Sequence, residues 1–209
     1  MHKSFLILLC LIFPVTLLAQ ETPMNQAEIA AFKSMVEATS KATSTIKSDF
    51  VQYKHLDFLD NDIETSGKLA FKAPGWVKWE YTTPYQYSVI FKDDQMLIND
   101  GGTKSSVDIG SSKLFKKLNE LIVNSVKGTL FKDEDFKISY LKTTNMNKAI
   151  FKPYDKKIAN YIASFELVFD RDDGGVIEVK MIEPSGDFTK IIFKNRTLNS
   201  SLSDAVFTN

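Results

Sequence analysis

Gly67-Lys68-Leu69-Ala70-Phe71-Lys72-Ala73-Pro74-Gly75-Trp76-Val77-Lys78-Trp79-Glu80-Tyr81 is the stretch on which the fold turns. Gly67, Leu69, Phe71 and Ala73 alternate with Lys68 and Lys72, and Val77, Trp79 and Tyr81 alternate with Lys78 and Glu80. A period of two is a half-buried strand, and Pro74-Gly75 between the runs is a tight turn. The pattern continues on both sides. Upstream, Ile63 and Thr65 extend the first strand, and Ile46, Phe50, Gln52 and Leu56 share one face of an earlier one. Downstream, Thr83-Pro84 marks a turn. Tyr85, Tyr87, Val89 and Phe91 then alternate with Gln86, Ser88 and Lys92, and Asp93-Asp94 and Asp100-Gly101-Gly102 are further turns. Short strands joined this way form an antiparallel meander with one apolar and one wet face.

Farther out the period changes. Asn25 to Thr43 reads as an amphipathic helix, with Asn25 as cap, Glu28 at the capping-box position, and Ile29, Phe32, Met35 and Val36 on the buried stripe. A second helix follows Ser111 or Ser112; Leu114, Phe115, Leu118, Leu121, Ile122 and Val126 form its apolar face, and Gly128 ends it. Strands resume at 136–140, 149–151, 161–169, 176–182 and 188–194, and Ala205, Val206 and Phe207 sit in a short terminal turn. The sum is a mainly β, α+β domain of ten or eleven antiparallel strands and two helices. A sheet that long curls or splits, and its apolar face must be covered. Two helices are too few to fill a strongly curved sheet, which leaves an apolar cavity. A flatter sheet would pack fully against them.

The chain has 209 residues and a formal net charge of +0, with 16 Phe but one Cys and two His. Balanced charge argues against nucleic acid as a partner, since binding phosphates needs a basic surface. The start is a basic Met1-His2-Lys3, an apolar run from Phe5 to Leu18, then Ala19 before polar Gln20-Glu21. This is the layout of a cleaved secretory signal peptide, residues 1–19, leaving 20–209 as a single domain. The run falls short of the ~20 residues of a membrane span, and a retained anchor is the alternative. Leu9 before Cys10 is not the small residue that precedes a lipidated cysteine, so Cys10 reads as part of the apolar run. Cleavage leaves 25 basic and 26 acidic residues, 14 Phe, His55 alone and no cysteine. An exported chain without a disulfide is held by packing.

Reactive chemistry finds no support. A serine or cysteine nucleophile needs a base beside it, and His55 reads as a surface strand residue. One imidazole and no thiol make a metal centre implausible, so no metal or cofactor is expected. The glycine pairs at 101–102 and 174–175 lack the lysine and helix of a phosphate loop. Asp170, Asp172 and Asp173 miss the EF-hand spacing and read as a solvated turn. What remains is an aromatic cluster: Trp76, Trp79, Tyr81, Tyr85, Tyr87 and Phe91. It reads either as ordinary core or as the wall of a lipid-accepting groove.

Several segments together resemble the periplasmic outer-membrane lipoprotein carrier family (LolA-type). They are the export signal, the first helix, Ile46-Lys47-Ser48-Asp49-Phe50-Val51-Gln52, the Gly67–Tyr81 stretch, the turns at Thr83-Pro84 and Asp93-Asp94, and Asp204-Ala205-Val206-Phe207 near the end. The resemblance implies an incomplete, strongly curved antiparallel barrel closed by a helical lid. It implies a monomeric, non-enzymatic carrier that takes lipoprotein acyl chains from an inner-membrane release complex to an outer-membrane receptor. On that reading the cargo wall is Phe50, Leu69, Phe71, Val77, Trp79, Tyr81, Val89 and Phe91. The lid is Leu114, Phe115, Leu118, Leu121 and Ile122, with Phe32 and Met35 from the first helix. One departure stands out: the family arginine that ties lid to barrel falls at Ala73, which offers none of its five donors. Either the lid is held differently or the chain is a paralogue with another lipid-like cargo. A lipid-sensing interaction module is a further alternative.

Overall fold

The computed structural model describes residues 21–108 and 134–209. The expected signal peptide and the second helix, with Leu114, Phe115, Leu118, Leu121 and Ile122, lie outside the described residues.

Helix α1 spans Gln26–Ala42. Asn25 accepts the Glu28 backbone N–H while the Glu28 carboxylate accepts from the Asn25 N–H, so the expected capping box forms. Lys142 also binds the Glu28 carboxylate. With the Asn25 N–H it holds that carboxyl below the usual glutamate range. At the other end the Asn199 side chain accepts the Ser44 N–H (2.7 Å) and donates to the Ala42 carbonyl (2.9 Å). Thr39 donates to the Asp173 carbonyl. The helix is therefore fastened to the sheet at both ends.

The described residues contain twelve strands in one antiparallel sheet: β1 Thr22–Pro23, β2 Thr45–His55, β3 Ile63–Lys72, β4 Trp76–Thr83, β5 Tyr87–Lys92, β6 Gln95–Asp100, β7 Thr103–Asp108, β8 Phe136–Lys142, β9 Met146–Pro153, β10 Ser164–Asp170, β11 Val176–Ile182 and β12 Phe188–Leu198. Their order is β1-β8-β9-β10-β11-β12-β2-β3-β4-β5-β6-β7. The sheet curls but does not close: among the described residues β1 pairs only with β8 and β7 only with β6. The expected meander is β2 to β7. Its β5–β6 turn places Asp93 and Asp94 at φ 50° and 61°, as a two-residue hairpin of matching twist requires.

Sequence reasoning missed three features. β1 is two residues long and too short to show a period. β12 runs four residues past its expected end, through a bulge between Lys194 and Thr197. A one-turn helix α2, Lys156–Ala159 capped by Asp155, occupies the approach to β10, whose strand starts at Ser164 rather than Tyr161.

Alternation and register divide the sheet into two faces. The inner face carries two apolar clusters. One packs Phe32 and Val36 of α1 on Phe136, Ala149, Phe151, Phe165, Leu167 and Phe169 of β8–β10. The other belongs to β2–β4. The outer face is charged along β2–β4 and is crossed by the C-terminal segment. There the 3-10 turn Asp204–Phe207 buries Phe207 completely and sets its ring 5.6 Å from Trp76. Lys72 points outward, as expected, and binds the Leu202 carbonyl (3.2 Å) and the Asp204 carboxylate.

Candidate functional site

The expected wall assembles from cross-strand rows on the inner face. Ile46, Phe71, Val77, Phe91 and Met96 stand in register across β2–β6. Ser48, Leu69, Trp79, Val89 and Ile98 form the next row, and Phe50, Gly67, Tyr81, Tyr87 and Asp100 the third. Phe50 is the hub: its ring lies 5.1 Å from both Trp79 and Tyr81 in edge-on contacts. These contacts cross Gly67. A Cβ there would stand 2.0 Å from the Glu80 carbonyl oxygen and 2.9 Å from Phe50 Cζ. The Gly-x-Leu pattern thus has a physical cause: glycine lets two aromatic rings meet over the strand between them.

Phe50, Leu69, Phe71, Val77 and Trp79 are 1–8% exposed and form one cluster, with Tyr81 and Phe91 packed against it. Val89 stands opposite Trp79 in the β4–β5 register but lies outside that cluster. Ile191 and Phe193 of β12 also belong to the cluster, with the Phe193 ring 6.0 Å from Trp79. Their alternation was visible in sequence, but the pairing of β12 with β2, across some 140 residues, was not. Phe32 and Met35 go elsewhere. Phe32 packs edge-on against Phe169 (5.0 Å) and Tyr140 (6.3 Å), and Met35 packs with it in the β8–β11 cluster beside Gly174. Trp76 alternates to the outer face, and Tyr85 is 57% exposed.

The wall has one polar margin. Tyr81 donates to the Gln52 amide oxygen at 3.1 Å. Burial, with Tyr85 and Tyr87 nearby, pushes the Tyr81 phenol up to about 12, so it stays neutral and a donor at ordinary pH. Burial also raises the Tyr87 phenol, with the Asp100 carboxylate adding to it. An outer-face depression of about 300 Å³ is of another kind, with Lys47, Asp49, Lys68, Lys78 and Glu80 set beside Leu202 and Val206 of the C-terminal segment.

The groups weighed for chemistry have structural partners. His55 stacks on Phe188 (4.7 Å) and its Nδ1 lies 2.8 Å from Asp62. Asp173 accepts the Gly175 N–H and binds Arg196. Burial raises its pKa, but these two donors outweigh burial and hold it below the usual range. Among the described residues, no group of three or more His, Cys, Asp or Glu side chains could hold a metal ion. Among the described residues both arginines make contacts away from Ala73, where the resemblance puts an arginine. Arg171 binds the Thr143 and Thr144 carbonyls and Arg196 binds Asp173, both in the other half of the sheet. Ala73 itself donates its N–H to the Ser44 carbonyl at 2.8 Å.

The chain is similar in sequence and in fold to known proteins. A carrier from Pseudomonas paraeruginosa, named outer-membrane lipoprotein carrier protein, is 25% identical over 196 residues, covering 93% of this chain and 90% of that one. One of the same name from Azotobacter vinelandii is 28% identical over 150 residues, covering 69% and 67%. Among solved structures, an uncharacterized conserved protein from Thermus thermophilus superposes with a TM-score of 0.52 at 7% identity, covering 87% of this chain and 93% of that one. A chain of the Pseudomonas aeruginosa MucA/MucB complex superposes at 0.50 with 11% identity, covering 86% of this chain and 60% of that one. These two likenesses concern the fold alone. The family model described as "Outer membrane lipoprotein carrier protein LolA" matches residues 41–209, and the chain belongs to that family of non-enzymatic binding and transport proteins.

Proposed function

We propose that this chain, exported to the periplasm and freed of residues 1–19, carries the acyl chains of a lipoprotein on the inner face of β2–β5. It works as a monomer, receiving cargo from a release complex at the inner membrane and yielding it to a receptor at the outer membrane. The observation that carries this reading is the wall itself. Its two apolar rows, Ile46-Phe71-Val77-Phe91 and Leu69-Trp79-Val89, come from neighbouring strands of a lipoprotein-carrier fold. Hydrocarbon binding needs no catalytic group, because each CH₂ moved out of water contributes about 0.8 kcal/mol. Phe50, Leu69, Phe71, Val77 and Trp79 are buried as the wall stands, while Ile46, Tyr81, Val89 and Phe91 are partly exposed, so cargo would meet these four first.

Native mass spectrometry of the protein purified without detergent from its own periplasm tests the reading. A one-to-one complex with an acylated protein supports it. A bound free lipid instead makes the chain a paralogous carrier of another cargo, and a consistently bare chain makes it a module that carries nothing.

A further inference from the structure

The inner-face row one step beyond Phe50 is apolar for most of its length: Ala149, Leu167, Val179 and Ile191 stand in register across β9–β12. It then turns polar at Gln52 and Thr65, directly opposite each other on β2 and β3. Thr65 shares the face of Gly67 and Leu69 by alternation, and it is 4% exposed. Its hydroxyl is fully buried and has no hydrogen-bond partner among the described residues. Buried polar groups are nearly always paired, so an orphan asks for a partner from outside the protein. Gln52 spends its amide oxygen on the Tyr81 hydroxyl and keeps two N–H donors. A buried hydroxyl and an amide side chain with free N–H donors thus stand on neighbouring strands where the apolar row ends.

Resting on the carrier reading above, we propose that Thr65 and Gln52, with Gln52 oriented by Tyr81, form a hydrogen-bonding subsite for an acyl carbonyl oxygen of the cargo. The carbonyl is the first polar group above a hydrocarbon tail and only accepts, which matches donors at the margin of an apolar wall. Tyr81 acts as a positioning residue, because its own proton is committed to Gln52. The subsite would fix how deep the chains sit, and it would distinguish acyl from plain alkyl ligands.

Two probes of equal chain length separate the subsite from the wall: 1-palmitoylglycerol, which has an ester carbonyl, and 1-O-hexadecylglycerol, which has none. Their affinities are read from displacement of an apolar naphthalene dye from the purified protein. The wild type should prefer the ester by roughly five-fold, the value of one net hydrogen bond. Thr65→Val should erase the preference by weakening the ester alone, with a melting temperature equal to or above wild type, and Thr65→Ser should restore it. Equal binding of both probes by the wild type overturns the subsite and leaves the carrier reading standing. So does a Thr65→Val variant that keeps the full preference or melts clearly lower, since a lower melting temperature would give the hydroxyl an internal partner. Binding of neither probe overturns the carrier reading and the subsite with it.

Discussion

Gly67 stands where Phe50 and Tyr81 meet, and no side chain fits between them and the Glu80 carbonyl. Gly67→Ala should therefore lower stability by roughly 1–3 kcal/mol, as overpacking does, read as a reduced urea midpoint. Val77 makes a related point. Sequence alternation alone suggests that Val77→Glu would block acyl chains and spare the fold. At 1% exposure the new carboxylate would instead be buried without a partner, so the variant should also lose several kcal/mol of stability. Tyr81 gives a pH signature. Its folded pKa lies above the ordinary value of 10.0, so its contribution to stability is complete below pH 10 and fades as pH rises toward about 12. An ultraviolet titration should show one tyrosine ionising last, and Tyr81→Phe should remove that step. At this scale the sequence was legible where alternation was strict, since Phe50, Leu69, Phe71, Val77 and Trp79 all reach one cluster. Thr65 escaped notice because a threonine in a strand looks like any other until its hydroxyl is seen without a partner.

Elements joined by tight turns were easy to read, because each hairpin fixes its own register. That covers β3 through β6, including the turns at Pro74 and Asp93-Asp94. The joint between β12 and β2 was not legible, since nothing local in either strand encodes a partner so far away in the chain. The same limit hid the destination of α1. Its stripe predicted a buried face, yet that face packs on β8–β11 rather than on the aromatic wall, so Phe32 and Met35 serve the other cluster. The C-terminal turn matters more than its few residues suggest. Phe207 is completely buried on the outer face, and Lys72 grips the segment that carries it. Phe207→Ala should cost about 3–5 kcal/mol. Hydrogen exchange should then show faster opening of residues 202–209, with β3 and β4 protected longest.

For the whole molecule, an open curled sheet has two unlike faces, and they divide the work. The outer face is charged and held by its C-terminal strap. The inner face gives one half to α1 and the other to an aromatic wall, and it is on the second half that we propose the cargo's hydrocarbon binds. This division needs no reactive residue, which accords with a chain that has one histidine after Ala19 and belongs to a family of carriers. On the proposed function, acyl chains meet the inner face of β2–β5. The most direct measurement replaces Phe91, a partly exposed wall residue, with photo-reactive benzoylphenylalanine in the living cell, and Lys68 of the outer face in parallel. Irradiation should yield an adduct with an acylated protein at position 91 and none at 68. Adducts at 68 alone, or equally at both positions, would place the cargo off the inner face and overturn the carrier site.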